Sequence, residues 1–230
     1  MPIDLREETL DFHNGCEALT ILHFSDIHTW FSVDILEKLK VIIRENAPEL
    51  LLFTGDYFDI PRGAYLFRNF LCEVARNYPI VFIRGNHDFF YGSRIADLLL
   101  GIPNCYCVES DVYSFKSRKG YVYNITSWAK RHRLKKDTLE KNIVLIHNPE
   151  KLKEKEMEGI DLILAGHLHG GQFILFKTVK NAHFPGCLLY RYCTDRKQLR
   201  DTTLIISKGL GDTFPLRLNC PKEVIRIRIS

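Results

Sequence analysis

No run of about 20 consecutive apolar residues occurs in the chain, so hydropathy predicts no membrane-spanning helix. The first thirty residues carry Asp4, Glu7, Glu8 and Asp11 and hold no apolar stretch of signal-peptide length. Seven cysteines, scattered from Cys16 to Cys220, form no paired CxxC framework, and Cys105-x-Cys107 is too tight for the usual zinc spacing. They fit buried thiols in a reducing compartment. Linkers, internal repeats and low-complexity segments are missing too. The expectation is one domain covering residues 1–230, cytoplasmic, with peripheral contact at the inner membrane left open.

What is present is ordinary globular composition: 46% hydrophobic and 26% charged over 230 residues, enough to bury a sizeable core. A net charge of +4 allows an acidic substrate or an anionic surface without demanding nucleic acid, and no obligate protein partner follows from it. Apolar runs predict strands at 19–24, 50–54 and 80–84. Between them lie two helical patterns: Ile35, Leu39, Ile42 and Ile43 behind a Ser32 cap and before Pro48, then Phe67, Phe70, Leu71 and Val74 before Pro79. A short helix is expected at 93–100 and short strands at 106–108, 112–115 and 121–125. The basic run 130–136 reads as a loop. A strand at 143–146 precedes a helix that opens at Asn148-Pro149 and closes at Gly159. The strand opening at Leu162, then 173–176, 188–192, 203–207 and 224–229, completes an α/β reading with a strand-rich second half.

Five of these strands end within a residue or two of a metal-competent side chain: Asp26 and His28, Asp56, Asn86 and His87, His147, then His167 and His169. Ligands gather at the carboxyl ends of strands in open α/β sheets, so the five loops are expected to converge on one rim. Five of the nine histidines fall there, while His13, His23, His132 and His183 do not, and His23 in mid-strand reads as a core residue. The donors are nitrogen and oxygen only, too many for one tetrahedral zinc; they suit manganese foremost, or iron, zinc or nickel. Such a set suggests two divalent ions about 3.5–4 Å apart, an arrangement that makes hydroxide available near neutral pH for in-line displacement at phosphorus.

The order Asp26-x-His28, Gly55-Asp56, Gly85-Asn86-His87-Asp88, His147 and Gly166-His167-x-His169 resembles the calcineurin-like metallophosphoesterase superfamily. The resemblance implies a four-layer α-β-β-α sandwich in which two central mixed sheets are flanked by helices. It implies that Asp26, His28 and His169 hold one metal, that Asn86, His147 and His167 hold the other, and that Asp56 bridges them. His87 resembles the catalytic histidine that assists the leaving group, and Asp59 the carboxylate paired with it, an arrangement that keeps an imidazolium acid available. Asp88 is expected to be catalytic or to cap the loop structurally. Leu168 is expected to point into the packing.

Gly166 to Gln172, Lys208-Gly209-Leu210-Gly211 and the stretch from Pro215 to Glu223 resemble a bacterial phosphodiesterase branch, many of whose members sit at the membrane. Relatives there include UDP-2,3-diacylglucosamine pyrophosphatases, which cut a lipid A precursor, so the implied substrate is a phosphate-containing small or lipid-linked molecule. Trp30, Phe31, Tyr57, Phe58, Phe89, Phe90 and Tyr91 either line an apolar entrance or pack beneath the loops. Lys130 to Lys136 either meets anionic groups or is simply solvated. Arg62 is displaced from the spacing at which the protein-phosphatase branch grips phosphate. The alternatives are a nuclease or protein phosphatase of the same superfamily, or a non-catalytic scaffold, which should have lost ligands that are all present here.

Overall fold

The computed structural model describes residues 2–13, 18–136, 139–212 and 216–230. Its strands in the first half are β1 (Ile3–Leu10), β2 (Leu19–Phe24), β3 (Leu50–Phe53), β4 (Ile80–Phe82), β5 (Cys105–Cys107), β6 (Tyr113–Lys116) and β7 (Val122–Ser127). The second half adds β8 (Lys141–Leu145), β9 (Leu162–Ala165), β10 (Ile174–Lys177), β11 (His183–Pro185), β12 (Arg196–Leu199), β13 (Thr202–Ile206) and β14 (Lys222–Ile229). Among the described residues, helices α1 (Asp34–Asn46), α2 (Pro61–Val74) and the short α3 (Ser93–Ala96) all lie in the first half. One mixed sheet runs β1-β14-β2-β3-β4-β5, the other β12-β13-β9-β8-β7-β6, and β10 and β11 form a separate hairpin.

Alternation of side chains across each strand builds the layers. Leu19, Ile21, Leu50 and Leu52 meet Ile125, Ile143, Leu145, Leu162 and Leu164 in the seam between the sheets. Their neighbours Leu22, Phe24, Leu51 and Phe53 face outward onto α1 and α2, where Leu36, Leu39, Phe67 and Phe70 cover them. On the far side, Val144, Ile163, Leu204 and Ile206 pack against Leu152, Met157, Ile160, Leu168 and Tyr192. Strands β2, β3 and β4 are parallel neighbours, as are β8 and β9, so five carboxyl ends open on one rim.

Several expectations need correction. The fourth layer is made of 3₁₀ turns rather than one helix: Pro149–Lys151 and Glu154–Glu156 replace the predicted helix closing at Gly159. Leu152 and Met157, which the sheet needs buried, are five residues apart and cannot share a helical face. Ser32 Oγ accepts from the Asp34 N–H (3.0 Å), but Val33 occupies the cap position of α1. The first part of the basic run, 130–133, belongs to a 3₁₀ segment, Trp128–Arg133, and 134–136 is irregular; in the segment Arg131 lies over the Trp128 ring and pairs with Glu156, and Arg133 pairs with Asp111. The predicted strand at 188–192 is instead the end of the 3₁₀ turn Gly186–Leu188 and a turn after it that is exposed up to Arg191 and buried at Tyr192. Strands β1, β11 and β12 carried no prediction. Cys193 and Cys220 are buried thiols, while Cys72, Cys105, Cys107 and Cys187 are only half-buried. Cys16 and Pro215 lie outside the described residues.

Candidate metal centre

The rim is closed by backbone and side-chain bonds between the loops that follow the five strands. Asp26 N–H donates to Gly55 O (2.9 Å) and His28 N–H to Asp56 O (3.1 Å), zipping the loops after β2 and β3. Across the seam, His167 N–H donates to Asp26 Oδ2 (2.9 Å) and His147 Nδ1–H to Thr54 O (2.8 Å), which joins the second sheet to the first. Asp26, His28, Asp56, His167 and His169 all adopt left-handed backbone, with φ between 46° and 71°. That conformation costs a non-glycine residue about 1–2 kcal/mol. Five cases at one rim mark loops that turn within a residue or two of the strand end, a pattern of strain that collects at functional sites. Glycines make the close approach feasible: a Cβ on Gly166 would lie 1.8 Å from Ser25 Oγ and 2.3 Å from Asp26 Oδ2, and one on Gly85 would lie 2.1 Å from Asp56 Oδ1.

Three groups of ligand-competent atoms result among the described residues, each gathered within 4.8 Å: first Asp26, His28 and His169, second Asp56, His147 and His167, and third His28, Asp59 and His87. In the second, His147 donates its Nδ1 proton to a carbonyl, so its Nε2 presents a lone pair in the neutral ring. That Nε2 stands 3.1 Å from each of Asn86 Oδ1, Asp56 Oδ2 and His167 Nδ1. Asn86 Oδ1 and Asp56 Oδ2 are acceptors facing that lone pair, an arrangement that a proton on Nε2 or a cation reconciles. Burial opposes a proton on His147, yet the Asp56 hydrogen bond and the Asp26 and Asp56 charges raise its pKa to about 9. In the first group His28 Nε2 faces His169 Nε2 at 3.3 Å, with Asp26 Oδ1 3.6 Å from the latter. Burial, then the neighbouring His28 and Arg217 charges, hold His169 down at about 4, leaving it a neutral imidazole. Burial alone would raise the Asp26 carboxyl, but His169, His147 and His28 hold it ionised, down to about 2. Imidazole nitrogens and carboxylate oxygens gathered at buried positions are the donor chemistry that divalent cations take, so the residues fit such ions.

Asp59 sits behind this rim. Its Oδ1 accepts from both His28 Nδ1 and His87 Nδ1, each at 2.7 Å, and Trp30 Nε1–H donates to Oδ2. The hydrogen bond that His87 donates to Asp59 raises the His87 pKa, while Asp59 itself is held well below the ordinary carboxylate range despite burial. His87 opens into a cavity of about 270 Å³ shared with Asp56, His167, His169, Gln172 and Tyr190. Asp88 is fully buried and accepts N–H groups from Gly85 (2.8 Å), Asp56 (3.0 Å) and Tyr57 (2.8 Å), the structural alternative for that residue.

Other predicted residues separate from the site. His23 is buried against Thr54 Oγ1 (2.8 Å), and His13 stacks on Tyr121. His132 lies in the 3₁₀ segment, and His183 is buried on β11. Leu168 packs inward, as expected. The aromatic group divides: Tyr57 and Phe58 are core, whereas Trp30, Phe31, Phe89, Phe90 and Tyr91 are exposed. Arg62 lies over the Phe31 ring. Sequence reasoning missed the His28–Asp59 and Trp30–Asp59 bonds. It also gave no role to Arg217, a buried guanidinium 3.2 Å from His169 Nδ1 and tied to Asp212 (2.6 Å). The only signal for Arg217 was its place in the stretch after Lys208.

A model of the calcineurin-like phosphoesterase family matches residues 19–171. Phosphodiesterase YaeI of Escherichia coli (strain K12) is 25% identical over 98% of this chain and 87% of its own. The YpbG protein of Bacillus subtilis (strain 168) is 30% identical over 91% of this chain and 80% of its own. Among solved structures, TT1561 of Thermus thermophilus superposes with a TM-score of 0.55 at 15% identity, covering 84% of this chain and 90% of its own.

Proposed function

The chain belongs to the calcineurin-like phosphoesterase family and is therefore a metal-dependent phosphoester hydrolase, and we propose that it cleaves a phosphodiester or diphosphate bond using two divalent ions. Asp26, His28 and His169 would hold one ion and Asn86, His147 and His167 the other, with Asp56 between them. The observation that carries this reading is the convergence of acceptors on His147 Nε2 beside a second ligand group on the same rim. Manganese is the proposed occupant, and iron, zinc or nickel suits the same donors. Divalent ions bound there supply Lewis acidity to the phosphoryl oxygens and lower the pKa of a water.

The remaining work falls to the chain's own side chains. Asp59 accepts a hydrogen bond from His28 Nδ1–H, which fixes the tautomer and leaves Nε2 of that ring free as a ligand atom. The same oxygen orients His87 and favours its charged form, so His87 Nε2 can give a proton to the leaving oxygen inside the shared cavity. Asp88 fixes the loop that carries Asn86 and His87. The exposed rings of Trp30, Phe31, Phe89, Phe90 and Tyr91 around the ligand loops support a substrate with an apolar portion, of the lipid-linked kind, for instance UDP-2,3-diacylglucosamine. The name of the Escherichia coli relative, a phosphodiesterase, supports the bond class.

The test is a panel of bis-p-nitrophenyl phosphate, nucleotide-sugar diphosphates and UDP-diacylglucosamine, run with manganese on the wild type and on Asp56→Ala. We expect metal-dependent turnover of at least one member and its loss in the variant. Turnover that persists in Asp56→Ala, or none on any substrate, would sink the proposal.

A further inference from the structure

The hairpin of β10 and β11 and the turn after it leave a large apolar surface uncovered. Leu175 and Phe176 are 57% and 55% exposed, Val179 at the tip is fully exposed, and Leu188 and Leu189 are 71% and 81% exposed. Leu218 joins the same surface, because it bridges to Phe173. Large apolar side chains exposed together on one segment of the chain mark an interaction surface.

Two observations select the occupant. Leu175 and Phe176 are successive strand residues on opposite faces and both are more than half exposed, so the outer part of the hairpin is wet on both sides, while Ile174 and His183 at its base are buried. A second copy of the chain or another protein docks against one face; a bilayer surrounds a projecting wedge on all sides. Second, residues 171–194 contain no aspartate or glutamate; Lys177 pairs with Asp195 and Arg191 with Glu154, and Lys180 stands exposed at the tip beside Val179. Apolar side chains flanked by basic ones are the composition of segments that enter the headgroup layer of anionic membranes.

We propose that the β10–β11 hairpin and the turn at Leu188 and Leu189 dock this protein on an anionic lipid surface. The docked edge adjoins the candidate metal centre, since Gln172 precedes the hairpin, Tyr190 follows it, and both line the cavity with Asp56, His87 and His169. Docking thus turns the mouth of that cavity toward the headgroups. The docking itself does not depend on the hydrolytic reading; only this consequence does.

The experiment is co-sedimentation of the full chain with vesicles of phosphatidylcholine alone or mixed with phosphatidylglycerol. Three proteins are compared: wild type, Leu188→Glu with Leu189→Glu, and Lys180→Ala. We expect wild type to pellet with the mixed vesicles and to be released by salt, and the double glutamate variant to lose at least about tenfold in partitioning. Lys180→Ala, an exposed change with little risk to folding, should lose a smaller part, and only on the anionic vesicles. Wild type that stays in the supernatant with both vesicle types overturns the proposal, as does a double variant that binds like wild type. Sedimentation velocity without lipid adds one more overturning outcome: a wild-type dimer that the glutamates dissolve, combined with no vesicle binding, assigns the surface to a second copy. All these readouts stand whether or not any phosphoester is cleaved.

Discussion

Asp59 Oδ1 accepts from two imidazoles at once, so one carboxylate serves two tasks that substitution can separate. Through His28 it orients a proposed ligand, and through His87 it holds a proposed acid. His87→Ala should leave metal content unchanged and lower kcat by about 10²–10⁴ on esters with poor leaving groups. On p-nitrophenyl esters the loss should be much smaller, because that leaving oxygen needs no proton. Asp59→Ala should weaken metal retention about 10–100-fold in addition to slowing turnover. Metal content after dialysis, read beside kcat on the two ester types, separates the variants. If both retain metal equally, Asp59 does not orient His28.

At the scale of the element, the tight approach of loops from different strands depends on missing side chains. Gly166 follows β9 and lies against the loop after β2; an alanine there would press on Ser25 and on Asp26, which are both fully buried and cannot give way cheaply. Gly166→Ala should lower stability by about 1–3 kcal/mol as an overpacked core position and should abolish metal retention. Gly92→Ala is the control: nothing lies near its Cβ, so its cost is limited to the strain of its positive φ, with metal retention intact. Thermal melts and metal content on both variants make the check, and a Gly166→Ala protein that keeps its metal overturns the reading.

The strand-end loops were legible because each apolar run stops abruptly at a donor residue, a pattern local in the chain. The elements that went unread are stabilised from a distance. Strand β1 shows too little apolar alternation to be recognised, and it lies parallel beside β14 with Glu7 paired to Arg226 and Arg6 to Asp195. The run at 188–192 reads as a strand by hydropathy, yet Gly186 packs against Gly171 and Cys193 and commits the chain to a turn there. Arg217 owes its place beside His169 to carbonyls of Lys208 and Gly211, which no local pattern announces.

Across the whole molecule, a buried charge network fastens the first strand to the last third of the chain. Asp195 meets Arg6 of β1 (3.0 Å), Lys208 after β13 (2.8 Å), His183 of β11 (3.3 Å) and Lys177 of β10, while Glu223 of β14 takes a second bond from Lys208 (2.7 Å). Burial favours the neutral acid, but the adjoining His183 ring and the Lys208 and Arg6 charges outweigh it and hold Asp195 far below the ordinary carboxylate pKa. A depressed folded pKa stabilises the fold above the unfolded value of about 3.9, and the contribution is lost as pH falls toward the folded value. Asp195→Ala leaves Lys208 and Arg6 buried with Glu223 as their shared partner, so it should cost about 3–5 kcal/mol near neutral pH. Urea melts of wild type and variant from about pH 7 down to about pH 3 should show the gap narrowing as the wild type loses what the variant never had. The contact with Lys177 predicts further that the variant loosens the β10–β11 hairpin before the sheets, visible as faster amide exchange at 174–185. A gap that stays constant over the whole pH range would remove Asp195 as the charge that locks the two ends of the chain together.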